Sequence, residues 1–308
     1  MILSTILSAA FSLTPAPPTS PAVSPAVSPS GAPAAVARDG EAPTLPAEAK
    51  AEAERRSVAL KALQSPLPEG LSDEDQVRAL ARRAIAATVA LGKDSETSRR
   101  LLEASRNAME SVNANPKAAA LLIDLVTDAA KRDLAFQPTM EAPLPKGFPW
   151  PVPAGEIRVQ TYPGYRKVVT DMQGNAQNGA FFKLFRHITS NDIAMTAPVE
   201  MTMGDSQDEM LDMAFLYGDP EIGEAGDAGR VEVTDIEPMK VVSIGIRGTL
   251  RSFQESGAME ALNAWLERND GEWERAGNAR LMGYNGPMVP RNQQFCEIQI
   301  PVRKRAKD

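Results

Sequence analysis

The sequence predicts an α+β protein: a β-rich C-terminal domain whose sheet curls over two helices, preceded by a small helical segment and a Pro/Ala-rich N-terminus. Three observations predict it. After Gly155, apolar residues alternate with period two in several short runs. Two stretches between those runs carry apolar residues at helical spacing, and the order strand, helix, strand, strand occurs twice, the pattern of a pseudo-duplicated domain. From Ala47 to Arg132, Ala, Leu, Glu, Arg and Lys dominate with helical punctuation. A chain of 308 residues, 43% hydrophobic and 24% charged, is long enough for about two domains.

The elements follow in order. Ile2 to Leu13 is a short apolar run followed by small residues and prolines, with Ser8-Ala9-Ala10 as small residues for cleavage, which gives residues 1–14 the form of an export signal; the alternative is a disordered, uncleaved N-terminus. Export makes the mature protein periplasmic or secreted, with no transmembrane segment once the signal is removed, and the alternative leaves it cytoplasmic. Residues 15–46 are a Pro/Ala/Ser-rich linker with a near-repeat at Ser20-Pro21-Ala22-Val23 and Ser24-Pro25-Ala26-Val27; prolines withdraw backbone donors, so an extended spacer is expected. Residues 47–135 are the helical segment. Ser72 with Asp75 makes a capping box before Val77, Leu80, Ala81, Ile85 and Val89, and Gly92 closes that helix. Asp94 or Ser95 opens a helix with Leu101, Leu102 and Met109, and Pro116 stands at the first turn of one carrying Leu121, Leu122, Leu125 and Val126. No pair of ligand-type residues marks this segment, and its protein partner, if it has one, is not readable.

Residues 136–154 form a second proline-rich linker, Trp150 being either a binding anchor or an aromatic that pins the linker to its neighbour. In the domain at 155–304, Ile157, Val159, Val168 and Val169 flank a Pro163-Gly164 turn, and Asn175 to Ile188 reads as a helix with Ala180, Phe181, Leu184, Phe185 and Ile188 on one face. Ile193, Met195, Ala197, Val199, Met201 and Met203 alternate with Thr196, Pro198, Glu200 and Thr202, which predicts a half-buried strand. Similar alternation recurs at Leu211 to Tyr217, Val242 to Ile246 and Cys296 to Val302, and Phe253 to Arg268 is the second helix. The tail at 305–308 continues a basic run from Arg303 that is either a solvated end or a contact for anionic lipid.

Composition narrows function. A net charge of −7 argues against nucleic acid as a partner. One cysteine, Cys296, and one histidine, His187, exclude an intramolecular disulfide and a multi-histidine zinc site.

Phe181-Phe182-Lys183-Leu184-Phe185-Arg186-His187-Ile188, followed by Met195-Thr196-Ala197-Pro198-Val199 and later by Tyr284-Asn285-Gly286-Pro287-Met288-Val289-Pro290, resembles the SOUL heme-binding family over about 155–304. The resemblance implies a distorted β-barrel with two helices, binding heme or another tetrapyrrole non-covalently and without catalysis. Such a ligand needs an apolar surface, cations for propionates and optionally an axial ligand. The helix from Asn175 offers Phe181, Phe182 and Phe185 as apolar surface, Lys183 and Arg186 as cations, and His187 as the candidate metal ligand. His187 replaces the aromatic usual in the family, so it is not an inherited ligand; it is either on the flank of the helix or on the iron. The late loop departs too, with Arg291-Asn292-Gln293-Gln294-Phe295 where the family tends to carry paired arginines. The clustered methionines and Cys296 read as core filling, with soft-metal binding as the alternative. Two other functions stand beside tetrapyrrole binding: a hydrolase of flat hydrophobic molecules with Glu200 or Glu297 as base, and an envelope interaction protein.

Overall fold

A computed structural model describes residues 46–172, 177–206, 209–248, 257–286 and 288–306, all within one compact unit. The signal at 1–14 and all of the first linker but Pro46 lie outside the described residues.

Four helices come first: α1 (Ala47–Gln64), α2 (Asp73–Leu91), α3 (Glu96–Ser111) and α4 (Pro116–Ala135). The local signals act as read. Ser72 Oγ accepts the Asp75 amide, Gly92 takes a positive φ at the end of α2, Ser95 caps α3, and Asn115 caps α4 with Pro116 in its first turn. Leu63, Val77, Leu80, Leu101 and Ile123 fill a core that is otherwise mostly alanine, whose small side chains let the helices approach closely. Several apolar residues expected inside are exposed instead: Ile85, Val89, Leu102, Met109, Leu121, Leu122 and Leu125. On α4 the apolar residues fall on two stripes, and the one through Ala119, Ile123, Ala130 and Leu134 takes the core.

The rest is a ten-stranded antiparallel sheet with two helices. Its elements are β1 (Ile157–Tyr162), β2 (Tyr165–Asp171), α5 (Gln177–Ser190), β3 (Val199–Met203), β4 (Met210–Leu216), β5 (Gly226–Asp227), β6 (Glu232–Ile236), β7 (Met239–Arg247), α6 (Ala258–Arg268), β8 (Trp273–Arg275), β9 (Arg280–Gly283) and β10 (Phe295–Lys304). The expected helix starts at Asn175 and Phe253 lie outside the described residues. The strands run β1-β7-β10-β9-β3-β4-β2-β6-β5, with β8 pairing the far end of β10. The duplication is visible in this order. Each half contributes an inner group, β2-β4-β3 or β7-β10-β9, and sends its first strand to the edge of the other half's group: β1 to β7 and β6 to β2.

One expectation needs correction: the sheet is an open path among the described residues, not a closed barrel. At Pro163-Gly164, β1 and β2 do not pair with each other; both pair in unbroken register with the β6–β7 arm, Tyr162 opposite Met239 and Tyr165 opposite Ile236. The two arms therefore form one ribbon bent at a corner, where Pro163 and Pro238 withdraw backbone donors.

α5 and α6 cover one face of the sheet. Val168, Leu184, Met201, Met203, Met213, Phe215, Val242, Leu262, Leu281, Cys296, Ile298 and Ile300 are buried there, so Met201, Met203, Met213 and Cys296 are part of the core. The basic run at the end of β10 is paired: Arg303 and Arg305 with Glu274, and Lys304 with Glu272.

The helical segment and the sheet meet through buried charges. Glu156, just before β1, accepts hydrogen bonds from Ser95 Oγ and the Glu96 amide at 2.9 Å each, so a carboxylate from the sheet side completes the N-terminus of α3. Arg56 of α1 lies 3.6 Å from Glu156, Arg158 of β1 pairs with Glu52 of α1, and Arg247 of β7 donates to Asp133 of α4 at 2.7 Å.

Candidate functional site

The α5 surface carries the residues that the sequence singled out. Ala180, Leu184 and Ile188 are buried and fix the helix against β2 and β4. Phe181 and Phe185 are half-buried: their rings stack 6.1 Å apart, and Phe181 meets Phe215 edge-on at 5.0 Å. The three phenylalanines thus separate into two that anchor the helix and one, Phe182, that is 59% exposed. Lys183 and Arg186 are exposed beside it. The exposed surface of α5 thus carries one aromatic ring and two cations.

His187 is half-buried, with Nε2 2.8 Å from Tyr217 Oη, and burial lowers its pKa, favouring the neutral imidazole. Ligation of iron through Nε2 requires exchange of that hydrogen bond.

The opposite face of the sheet holds a second constellation. Alternation along β3, β9 and β10 turns Glu200, Arg280, Glu297 and Gln299 away from α5 and α6, and this expected solvent side is buried too: Glu200 is 2% exposed and Glu297 0%. Glu200 accepts from Lys167 Nζ at 2.6 Å, Tyr165 Oη at 2.8 Å and Arg280 Nη1 at 3.2 Å. Burial alone pushes the Glu200 carboxyl up, but Arg280 and Lys167 outweigh it and hold the pKa below its ordinary value. Glu297 has no cation beside it among its hydrogen-bond partners. It accepts from Tyr284 Oη at 2.5 Å, the Val152 amide at 2.6 Å and Gln299 Nε2 at 3.1 Å, yet burial wins and raises its pKa. Arg280 Nη1 also donates to Tyr165 Oη at 2.7 Å and Nε to Gln299 at 2.9 Å, while its buried Nη2 finds no partner among the described residues.

Residues 136–154, expected as a linker, cover this face. Phe136 stacks on Phe295, and Phe148 stands edge-on between Tyr162 and Tyr165, at 4.9 and 5.2 Å. Trp150 is half-buried, and its carbonyl accepts from Gln160. Backbone bonds from Ala197 to Pro143, Lys146 to Gly218 and Gly155 to Gly245 fix the segment. Gly245 permits the close approach: a Cβ there would stand 2.2 Å from the Val152 carbonyl oxygen. Sequence reasoning named Glu200 and Glu297 but missed Lys167, Arg280 and Gln299 as their partners. A signal existed in Phe136, Met140, Leu144, Phe148 and Val152, which put an apolar residue at every fourth position of a chain too proline-rich for a helix.

Residues 151–301 match the family model described as SOUL heme-binding protein, and this C-terminal domain is a member of that family. Comparison with curated proteins gave no match. Among solved structures, the C-terminal domain of EcmrR is similar at 17% identity, covering 48% of this chain and 98% of that one with a TM-score of 0.36. A hydrolase from Listeria innocua is similar at 12% identity over 49% of this chain and 94% of its own, TM-score 0.37. SAV2435 bound to tetraphenylphosphonium is similar at 12% identity over 48% and 94%, TM-score 0.32.

Proposed function

We propose that the SOUL-family domain binds heme or a related tetrapyrrole non-covalently on the outer surface of α5, without catalysing a reaction. The observation that carries the reading is Phe182, 59% exposed on α5 together with the exposed cations Lys183 and Arg186, while Phe181 and Phe185 are half-buried on the same helix. Membership of the heme-binding family supports the class of ligand. Phe182 lays its ring on the macrocycle, and Arg186 orients a propionate. His187 is the candidate axial ligand, provided that Tyr217 yields Nε2. The hydrolase reading is weaker here because Glu200 and Glu297 are shut beneath residues 136–154.

Titration of the full chain with hemin tests the proposal. Burying the exposed part of a phenylalanine side chain is worth about 1–2 kcal/mol, against roughly 0–1 for an exposed ion pair, so Phe182→Ala weakens saturable binding about 5- to 30-fold and Arg186→Ala no more than about 5-fold. His187→Ala shifts the Soret and visible bands only if His187 holds the iron. Affinity unchanged in both Phe182→Ala and Arg186→Ala places the ligand elsewhere, and absence of saturable binding by the native chain refutes the function.

A further inference from the structure

We infer that two copies of this chain associate through the outer face of α4, with the two helices packed antiparallel about a two-fold axis at Leu122. Twelve large apolar side chains are exposed among the described residues, and eight of them belong to the helical segment. Three stand together on α4: Leu121, Leu122 and Leu125, which are 61%, 53% and 59% exposed. The bundle does not use them, because Ala119, Ile123, Ala130 and Leu134 supply the α4 side of its core. At about 100° per residue, Leu121 and Leu125 point within about 20° of the direction opposite Ile123. Lys117 and Asp128 lie to one side of that direction and Leu122 to the other. An apolar patch with charges at its rim is the form of a docking surface.

The order of these residues selects the occupant. Leu121 and Leu125 are centred on Ile123, and Lys117 and Asp128 between Leu122 and Ile123, so the face is self-complementary when its direction is reversed. A two-fold interface requires this, since every contact it makes is made twice with the roles exchanged. With the helices antiparallel, Leu122 meets Leu122 of the second copy at the axis, Leu121 meets Leu125, and Lys117 meets Asp128. The flanks agree as well: the axis brings the same flank of both helices together, and Lys117 and Asp128 share one. A parallel pair would instead set Lys117 against Lys117 and Asp128 against Asp128. Within one copy, Lys117 stands 4.0 Å from Asp73 and Lys131 donates to Asp128 at 3.1 Å, exposed ion pairs that exchange at little cost. The axis falls in the N-terminal half of α4, away from Asp133, where the helix meets Arg247 of the sheet. From Lys117 to Asp128 the face is about 16 Å long, so the interface is at the small end of the range and the dimer forms reversibly at micromolar concentrations.

Sedimentation velocity of the full chain across the micromolar range tests this, with monomer giving way to dimer as concentration rises. Leu122→Arg changes a side chain more than half exposed, so the fold is kept, and it sets two cations at the axis, weakening association about tenfold or more. Lys117→Asp or Asp128→Lys alone weakens it about 2- to 5-fold. The double exchange restores each pair in the reverse sense and returns association to within about twofold of native, a rescue that a merely loosened helix does not give. A monomer at every concentration overturns the inference, whether another protein, a lipid surface or residues 2–13 of the same chain covers the leucines. So does a dimer that Leu122→Arg leaves intact, or a loss in the single charge reversals that the double exchange does not rescue.

Discussion

Removing the Glu156 carboxylate tests whether the helical segment and the sheet are one cooperative unit. Glu156 is 2% exposed, its oxygens take the Ser95 hydroxyl and the Glu96 amide, and the Arg56 guanidinium beside it is itself 5% exposed. Glu156→Ala leaves a buried cation short of its carboxylate and the α3 N-terminus short of an acceptor. Breaking a buried ion pair by deleting one partner costs about 3–5 kcal/mol. The capping loss, about 0.5–2 kcal/mol by itself, falls within that figure because the same two oxygens do both jobs. At roughly 2–4 °C per kcal/mol for a chain somewhat shorter than this one, the melting temperature falls by about 10 °C. Glu156→Gln keeps an acceptor oxygen and loses less. The assay is urea unfolding followed by two probes with different addresses. Trp150, Trp265 and Trp273 are the only tryptophans and lie in residues 136–154 and the sheet domain, whereas far-UV circular dichroism reports chiefly on the helices. The two transitions coincide in the native chain and shift down together in Glu156→Ala. A fluorescence midpoint that stays in place while the helical signal moves refutes the reasoning.

Two further outcomes follow from the buried face and the core. The raised pKa of Glu297 lies above the value near 4.3 of a free glutamate, so the folded state binds its proton more tightly, and the carboxyl opposes folding increasingly as pH rises through that interval. The melting-temperature difference of Glu297→Gln minus native is accordingly larger at pH 8 than at pH 5, and a pH-independent difference by scanning calorimetry contradicts the assignment. Burial pushes the Cys296 thiol up to about 12, so iodoacetamide at pH 8 modifies it only after denaturation; labelling of the folded protein at the rate of a free thiol shows that β10 is not sealed as described.

The parts of this molecule legible in its sequence are those where one local signal settles one structure. Ser72, Gly92, Ser95 and Pro116 mark the ends of α2, α3 and α4 because caps and breakers act within a turn. The period-two runs found β3, β4, β7 and β10 because one face of each lies on apolar helices. Alternation reports on one face and leaves the other open, so Glu200 and Glu297 read as a solvent side. What buries them is a segment whose prolines announce an absence of regular structure and are silent on where it lies. The corner at Pro163-Gly164 was illegible for a similar reason: a Pro-Gly pair punctuates a chain without saying whether the next strand folds back or continues past a bend. At the α5 site, helical spacing put Ala180, Phe181, Leu184, Phe185 and Ile188 on one face and left Phe182 off it, and the structure buries or half-buries those five and exposes Phe182; that Phe181 seats on Phe215 needs the fold, because Phe215 comes from a strand far along the chain.

The exchange of first strands between the two halves of the sheet has a consequence for how the chain is made. β1 is synthesised long before β7, its partner among the described residues, and β10, the last strand described, takes a place between β7 and β9 in the interior of the order. Until β10 is available, β7 and β9 keep open, unpaired edges, and neither half can finish its own sheet in the meantime. The protein completes itself from the middle, and a chaperone that shields those two edges protects the step at which nascent molecules are most exposed to pairing with each other.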